Sequence, residues 1–183
     1  SGLTVEATEC SDVIEAGANT KQQITANCGR PFTASPTLTV SFTCKGKSYE
    51  LPLEFPIVAC TFCTPSDMDA DTFQQRWSNP KYQDNQAVET FKAGEEKDLT
   101  VLDDLLPNLG FSIVEDVDES ANKVYAAGTF VTSKIGSSGK PVTVGVVCLF
   151  EWAKSKRAFR LTVRAPFSSV ATACKDHLKA ELE

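Results

Sequence analysis

One short stretch, from Pro65 to Trp77, directly follows a run of strand-like residues, Leu51 to Cys63. It predicts an amphipathic helix, because Phe73 and Trp77 lie four residues apart and therefore share one helix face. Ser66 is the predicted cap, and the helix would then run from Asp67 to Trp77. The fold must therefore join a β layer to helices.

The residues before position 58 predict short strands. Alternating apolar and polar side chains, some of them loosely spaced, mark strands at 3–7, 20–28, 38–42 and 49–55, with a turn at Lys45-Gly46-Lys47. Such strands are typical of an immunoglobulin-like β-sandwich, which has roughly seven of them. We therefore predict that residues 1–57 form a partial β-sandwich subdomain whose N-terminal strands are missing. Its open apolar face would associate with another copy of the chain or belong to a longer parent chain.

Residues 58–183 predict an antiparallel sheet with helices packed on it. Further helices are expected at 86–92, 99–106 and after Pro166, where Ser168 would be the cap, and strands at 110–114, 124–132, 142–152 and 158–164. An apolar stripe of the last helix repeats every four residues, at Val170, Cys174, Leu178 and Leu182. The predicted fold class is α+β.

Charge and hydropathy exclude two classes of partner. The net charge of −6 argues against nucleic acid, which needs a basic surface. The longest apolar run, Val142 to Phe150, is too short to span a bilayer, so no direct membrane insertion is expected.

The cysteines and the single histidine, His177, offer little for catalysis. The seven cysteines are an odd number, which fits a disulfide framework poorly and favours the cytosol. Cys60 and Cys63 have the C-x-x-C spacing of redox and zinc sites, but a zinc site needs a second ligand pair. We expect free thiols, no catalytic residue, no metal and no cofactor. A small thiol-dependent enzyme using Cys63 or His177 is the alternative from another class, and a purely structural fragment is a third.

The last predicted strand suggests a peptide-binding face. Arg160, Thr162 and Arg164 alternate, so they point to one side of the sheet. If this strand forms a hairpin with the one before it, Glu151 lies near Arg160 and fixes its guanidinium group. A nearby Trp face would take an aromatic side chain, which suits peptides carrying an Asp beside a Phe or Trp. The plainer alternative is a solvated sheet face, with Phe73 in the core.

Several motifs occur in a fixed order along the chain: Pro65-Ser66-Asp67-Met68 followed by Phe73 and Arg76-Trp77, then Gly110-Phe111, Ala126-Ala127-Gly128, Leu149-Phe150-Glu151 and Phe159 to Arg164. In this order and spacing they resemble the appendage (ear) domain of the α-adaptin family, the alpha subunits of the clathrin adaptor AP-2. The resemblance covers nearly the whole chain and is densest over residues 58–183, which would form the platform subdomain of the appendage. Appendages of β-type adaptors or of coatomer are the nearest alternatives.

The resemblance implies a module that binds Asp-Pro-Phe, Asp-Pro-Trp and Phe-x-Asp-x-Phe peptides of endocytic accessory proteins, in clathrin-mediated endocytosis and vesicle traffic. The residues that match its peptide contacts are Trp77, Glu151, Arg160 and Arg164, with Phe73, Gln75 and Arg76 completing the predicted set.

The resemblance also implies contact with other adaptor subunits through the missing trunk of the parent chain. The expected location is cytoplasmic, at the periphery of clathrin-coated pits on the plasma membrane. Gln74 replaces a Phe of the family and Leu149 replaces an Arg, so the preferred motif is expected to differ.

Overall fold

The computed structural model describes residues 2–9, 11 and 13–183; Cys10 lies outside the described residues. The strands are β1 (Leu3–Ala7), β2 (Ile24–Cys28), β3 (Thr37–Cys44), β4 (Lys47–Glu54), β5 (Cys63–Pro65), β6 (Gln86–Lys92), β7 (Phe111–Ile113), β8 (Lys123–Ile135), β9 (Pro141–Ala153) and β10 (Ala158–Arg164). The helices are α1 (Ala70–Trp77), α2 (Pro80–Gln83), α3 (Val101–Asn108) and α4 (Ser168–Leu182), with 3₁₀ turns at Ala59–Phe62 and Lys154–Lys156.

The first segment forms two antiparallel hairpins, β1–β2 and β3–β4. Lys45 and Gly46 join β3 to β4 and both have positive φ, 50° and 74°, as a two-residue hairpin turn requires. The four predicted strands are therefore confirmed. The boundary after residue 57 stays a prediction.

One face of the β3–β4 hairpin is apolar and open to solvent. Val40 lies opposite Leu51, and Phe42 lies opposite Tyr49 with the two rings stacked at 5.2 Å. These side chains are exposed by 39–50%. The open face agrees with a partial sheet layer, and what covers it stays a prediction.

The rest of the chain forms an antiparallel sheet with helices, which confirms the α+β class. Its strand order is β5-β8-β9-β10-β6, and β7 also pairs with β8. In the described part of the chain, no helix is both long enough and apolar enough to cross a membrane.

The two faces of this sheet are covered unequally. The helices α3 and α4 pack over one face, where Phe150, Phe159 and Leu161 are completely buried. The predicted apolar stripe of α4 is confirmed, since each of its four residues has no exposed surface. On the opposite face α1 covers one end only, through a small cluster of Phe73, Val114, Ala127 and Val147. The other end of that face stays open.

One predicted helix is wrong. Residues 86–92 form strand β6, which pairs with β10 along its whole length. Val88 and Phe91 are three residues apart, which fits a helix face, but they point to opposite sides of the sheet. The hydrogen bonds to β10 decide the conformation, and they come from residues far along the chain.

Three helix ends also differ from the prediction. The helix α1 begins at Ala70, and the side chain of Asp69, not Ser66, accepts a hydrogen bond from the Thr72 amide at 2.7 Å. The helix α4 contains Ser168 as its first residue and has no side-chain cap. The helix α3 continues through Pro107 to Asn108 instead of ending before the proline.

Candidate functional site

The open end of the sheet is built from alternate residues of neighbouring strands. In antiparallel strands, directly opposite residues share a face. Arg160 on β10 therefore faces the same side as Glu151 on β9, and Thr162 faces the same side as Leu149. The predicted hairpin of β9 and β10 is confirmed. It brings together side chains that the sequence placed on one face.

Trp77 lies at the C-terminal end of α1, at the border of this open surface. It is half-buried. Its ring stacks on Phe73 with centroids 5.5 Å apart, and Phe73 in turn meets the edge of Tyr125 at 5.3 Å. Phe73 is completely buried. It packs against the indole and has no exposed surface with which to contact a ligand, which corrects its place in the predicted peptide-binding set.

Arg164 fixes the orientation of Trp77. Its guanidinium carbon lies 3.9 Å from the centroid of the indole, in a cation–π contact. Nη1 donates to the Trp77 carbonyl oxygen at 2.6 Å, and Nε and Nη2 donate to Oε1 of Gln86 at 3.2 and 3.1 Å. Partial burial lowers the pKa of Arg164 from its ordinary value. Arg164, a member of the predicted set, thus contacts Trp77 directly.

Arg160 forms the predicted ion pair with Glu151. Nη1 of Arg160 lies 3.4 Å from Oε2 of Glu151, and the arginine side chain remains 59% exposed. An exposed pair of this kind adds little stability by itself. It does orient the guanidinium group, whose remaining N–H groups face solvent and are available to a carboxylate.

An apolar strip lies between the two arginines. Leu149 is half-buried, Thr162 is 5% exposed, and Val88 at the edge of the sheet is 42% exposed. Arg160 and Arg164 are four residues apart on one strand, or about 13 Å, which matches about four residues of an extended peptide. The surface therefore offers an aromatic platform at one end, a cation at the other and an apolar floor between them. We call it the Trp77 face.

The remaining predicted residues lie around α1. Gln75 and the substituted Gln74 are both exposed on the helix. Arg76 reaches over Gly145, where an added Cβ would come within 2.7 Å of its Nη1. Gly145 is six residues before Glu151 on β9, so the structure does not bring Arg76 to the Arg160 end.

Three residues of this surface are absent from the predicted set: Gln86, Val88 and Tyr125. Gln86 and Val88 were missed because their segment was predicted as a helix. Tyr125 was missed because only the pairing of β8 with β9 places it beside Leu149.

A different concave surface lies at the N-terminal end of α1, away from Trp77. This pocket has a volume of about 550 Å³, and its lining includes Asp67, Asp69, Asp71, Glu115 and Asp116. The carboxylates repel acidic peptides, so this pocket does not suit motifs that contain aspartate.

Cys63, the cysteine considered as the nucleophile of a thiol-dependent enzyme, is not accessible to a substrate. Hydrogen bonds from the thiols of Cys174 and Cys60 lower the pKa of Cys63, and nearby His177 adds to the effect. Cys63 is nevertheless buried, at 9% exposure. A reactive cysteine needs solvent access as well as a low pKa, and Cys63 lacks the first.

Comparison with known proteins agrees with the resemblance seen in the sequence. A family model described as "Alpha adaptin AP2, C-terminal domain" matches residues 61–182. The AP-2 complex subunit alpha-2 of Dictyostelium discoideum is 26% identical over 183 residues, which is 100% of this chain. The chain spans only 18% of the length of that relative.

Proposed function

This chain belongs to the α-adaptin C-terminal domain family, and we propose that its Trp77 face binds short linear peptides in which an aspartate accompanies an aromatic residue. The family is that of clathrin adaptor appendages, which are protein-interaction modules and not enzymes. The thiol-enzyme alternative is therefore wrong. The observation that supports the proposal is the half-exposed indole of Trp77, held by Arg164 and separated from the exposed Arg160 by an apolar strip.

Each part of such a peptide has a matching partner on this surface. The aromatic side chain packs on Trp77 and Leu149. Such a contact stabilises the complex through buried apolar area and through the favourable geometry of the two rings. The aspartate accepts hydrogen bonds from Arg160, whose outward N–H groups are exposed. A motif of about four residues buries little area, so we expect weak binding, roughly micromolar, with avidity from several motifs.

Two substitutions shape the preference. The family has an arginine at the position of Leu149, and leucine offers a ligand carboxylate no donor there. Gln74 replaces a phenylalanine of the family at an exposed position on α1, and it offers less aromatic contact. We therefore expect a preference for one aspartate and one aromatic residue, as in Asp-Pro-Phe or Asp-Pro-Trp, over longer acidic motifs.

For the whole protein, we propose a role in clathrin-mediated endocytosis. The peptides would come from endocytic accessory proteins, and a trunk in the parent chain would join other adaptor subunits. The complex would act at the cytoplasmic side of the plasma membrane, at coated pits.

The two tryptophans of the chain provide a direct test, because they lie on opposite faces of the sheet. Trp152 packs against Phe159 at 4.7 Å on the helix-covered face. In Trp152→Phe, Trp77 is the single fluorescent indole. We expect a saturable emission change when peptides containing Asp-Pro-Phe or Phe-x-Asp-x-Phe are added, and none with peptides whose Asp is replaced by Ala.

The matched control is Trp77→Phe, which leaves Trp152 as the reporter and should show no change in emission. Calorimetry with the unmodified chain should give the same dissociation constant as the Trp77 signal. Absence of binding by both methods at millimolar peptide, or an equal response of both reporters, would refute the Trp77 face as the site.

A further inference from the structure

Three cysteines that have no part in the proposed peptide binding meet in the hydrophobic core of the second segment. Cys60 lies in the 3₁₀ turn at Ala59–Phe62, Cys63 begins β5, and Cys174 lies in α4. Their sulfur atoms all lie within 4.8 Å of one another, and the three residues are buried. They belong to three different elements, and only the folded chain brings them together.

The packing of α4 explains why they meet. Cys174 is part of the apolar stripe of α4, and α4 packs against the 3₁₀ turn that contains Cys60. Cys63 directly follows this turn and is the first residue of β5, where it pairs with Phe130 of β8. The site is therefore supported by a helix on one side and by a paired strand on the other.

We propose that Cys60, Cys63 and Cys174 bind a zinc ion. The half-buried His177 lies outside the three-sulfur group, so its side chain must turn towards the sulfur atoms to become the fourth ligand. Tetrahedral zinc with Zn–S bonds of about 2.3 Å places its sulfur ligands about 3.8 Å apart, so the observed spacing needs only a small adjustment. His177 follows Cys174 by three residues, and residues so spaced share a helix face. The ligands thus form two pairs, C-x-x-C from a turn and C-x-x-H from a helix, as in structural Cys₃His sites.

The three sulfur atoms lie in an apolar core, where thiolates need a counter-charge. A divalent cation would supply that counter-charge. Soft sulfur ligands in a tetrahedral arrangement with one imidazole select zinc.

Other cysteines of the chain provide matched controls. Cys28 is also buried, but its thiol donates to the Arg30 carbonyl oxygen at 3.2 Å. Cys148 is completely buried and Cys44 is exposed, and neither belongs to the three-sulfur cluster. The sequence alone predicts no metal, because Cys60 and Cys63 lack a recognisable second ligand pair and the chain has a single histidine. Cys174 joins the first pair only in the folded chain.

The test measures metal in the full chain, purified under reducing conditions without a metal-affinity tag. After zinc is added and excess zinc is removed by gel filtration, elemental analysis and native mass spectrometry should find about one zinc ion per chain. Replacing zinc with Co²⁺ should produce the visible absorption bands of a tetrahedral cobalt thiolate. Cys63→Ser and Cys174→Ser should lose the metal, whereas Cys28→Ser and Cys44→Ser should keep it.

The role of His177 has its own measurement. His177→Ala should weaken zinc binding by at least about tenfold in competition with a chelator, since even groups that only support metal ligands contribute that much. Unchanged affinity would remove His177 from the ligand set and so contradict this part of the proposal.

Two results would overturn the site as a whole, and both use the unmodified chain, so they do not depend on whether the variants fold. One is a folded chain that retains no zinc and gives no tetrahedral cobalt spectrum. The other is a disulfide between Cys60 and Cys63, detected by mass under non-reducing conditions and resistant to added zinc and reductant.

Discussion

The sharpest test of the Trp77 face is the exchange of Arg160 for glutamate. The Arg160 side chain is 59% exposed and is held by Glu151 at 3.4 Å, directly opposite on β9. Arg160→Glu removes the donor proposed for the ligand aspartate and places two carboxylates opposite each other. The loss should therefore appear mainly in peptide binding, with a smaller effect on folding.

Arg160→Glu should change peptide affinity much more than folding stability. A hydrogen bond to a charged group contributes about 1.5–3 kcal/mol, so the dissociation constant should rise roughly 10- to 150-fold. Like charges directly opposite in a sheet cost about 0.2–1 kcal/mol, so the free energy of unfolding should fall by no more than about that amount.

Lys156→Glu is the matched control. It changes the net charge by the same amount, but Lys156 lies in the exposed 3₁₀ turn between β9 and β10. A screened surface charge contributes less than about 1 kcal/mol, so its effect on the dissociation constant should stay below about fivefold.

Calorimetric titration with an Asp-Pro-Phe peptide at low and high salt measures both variants, and urea unfolding checks that each is folded. If the two variants weaken binding equally, and both losses disappear at high salt, the attraction is long-range and Arg160 is not a contact. Unchanged binding in Arg160→Glu would refute the role of Arg160 directly.

Three further predictions concern peptide binding by Trp77, the loss of stability in acid through Glu89, and the backbone conformation of Gly110. Trp77→Ala should weaken peptide binding by about 2 kcal/mol or more, roughly 30-fold, as measured by calorimetry on protein that circular dichroism shows to be folded. Hydrogen bonds from Lys175 and Lys179 lower the pKa of Glu89 to about 2, so its contribution to stability is complete above its unfolded pKa, near 4.3, and is lost as the pH falls through 2. The free energy of unfolding, measured with urea between pH 5 and pH 2, should therefore fall less steeply in Glu89→Gln than in the unmodified chain. Gly110→Ala should cost roughly 2–5 kcal/mol in thermal or urea unfolding, because Gly110 has φ of 78° and a Cβ there would lie 2.3 Å from a backbone oxygen.

The sheet could be predicted because its strands carry their own signal. Phe159, Leu161 and Val163 alternate with polar residues, and all three are completely buried in the structure. Strict alternation assigns each side chain to a face, since a shift by one residue would expose the whole set. The ion pair of Arg160 with Glu151 followed from that assignment together with a short hairpin connection.

The surroundings of Trp77 could not be predicted in the same way. The position of α1 over the sheet depends on how Phe73 packs with Ala127 and Val147, and those residues come from strands far along the chain. The same holds for β6, whose conformation is set by its pairing with β10. Local patterns indicate helices and strands, but they do not show which arginine of a strand lies against an indole.

The two arginines of β10 show how position on the sheet separates their roles. Arg164 uses three N–H groups inside the protein and lies over the Trp77 ring, so it has little left to offer a ligand and mainly holds the indole in place. Arg160 has one exposed ion pair and keeps its outward donors. The two side chains are chemically identical and lie on the same strand and face. Arg164 nevertheless holds the Trp77 ring in place, whereas Arg160 is exposed to solvent. Selection among aspartate-containing peptides should therefore depend on Arg160 and on the Leu149 floor, whereas Arg164 determines whether the aromatic platform exists at all.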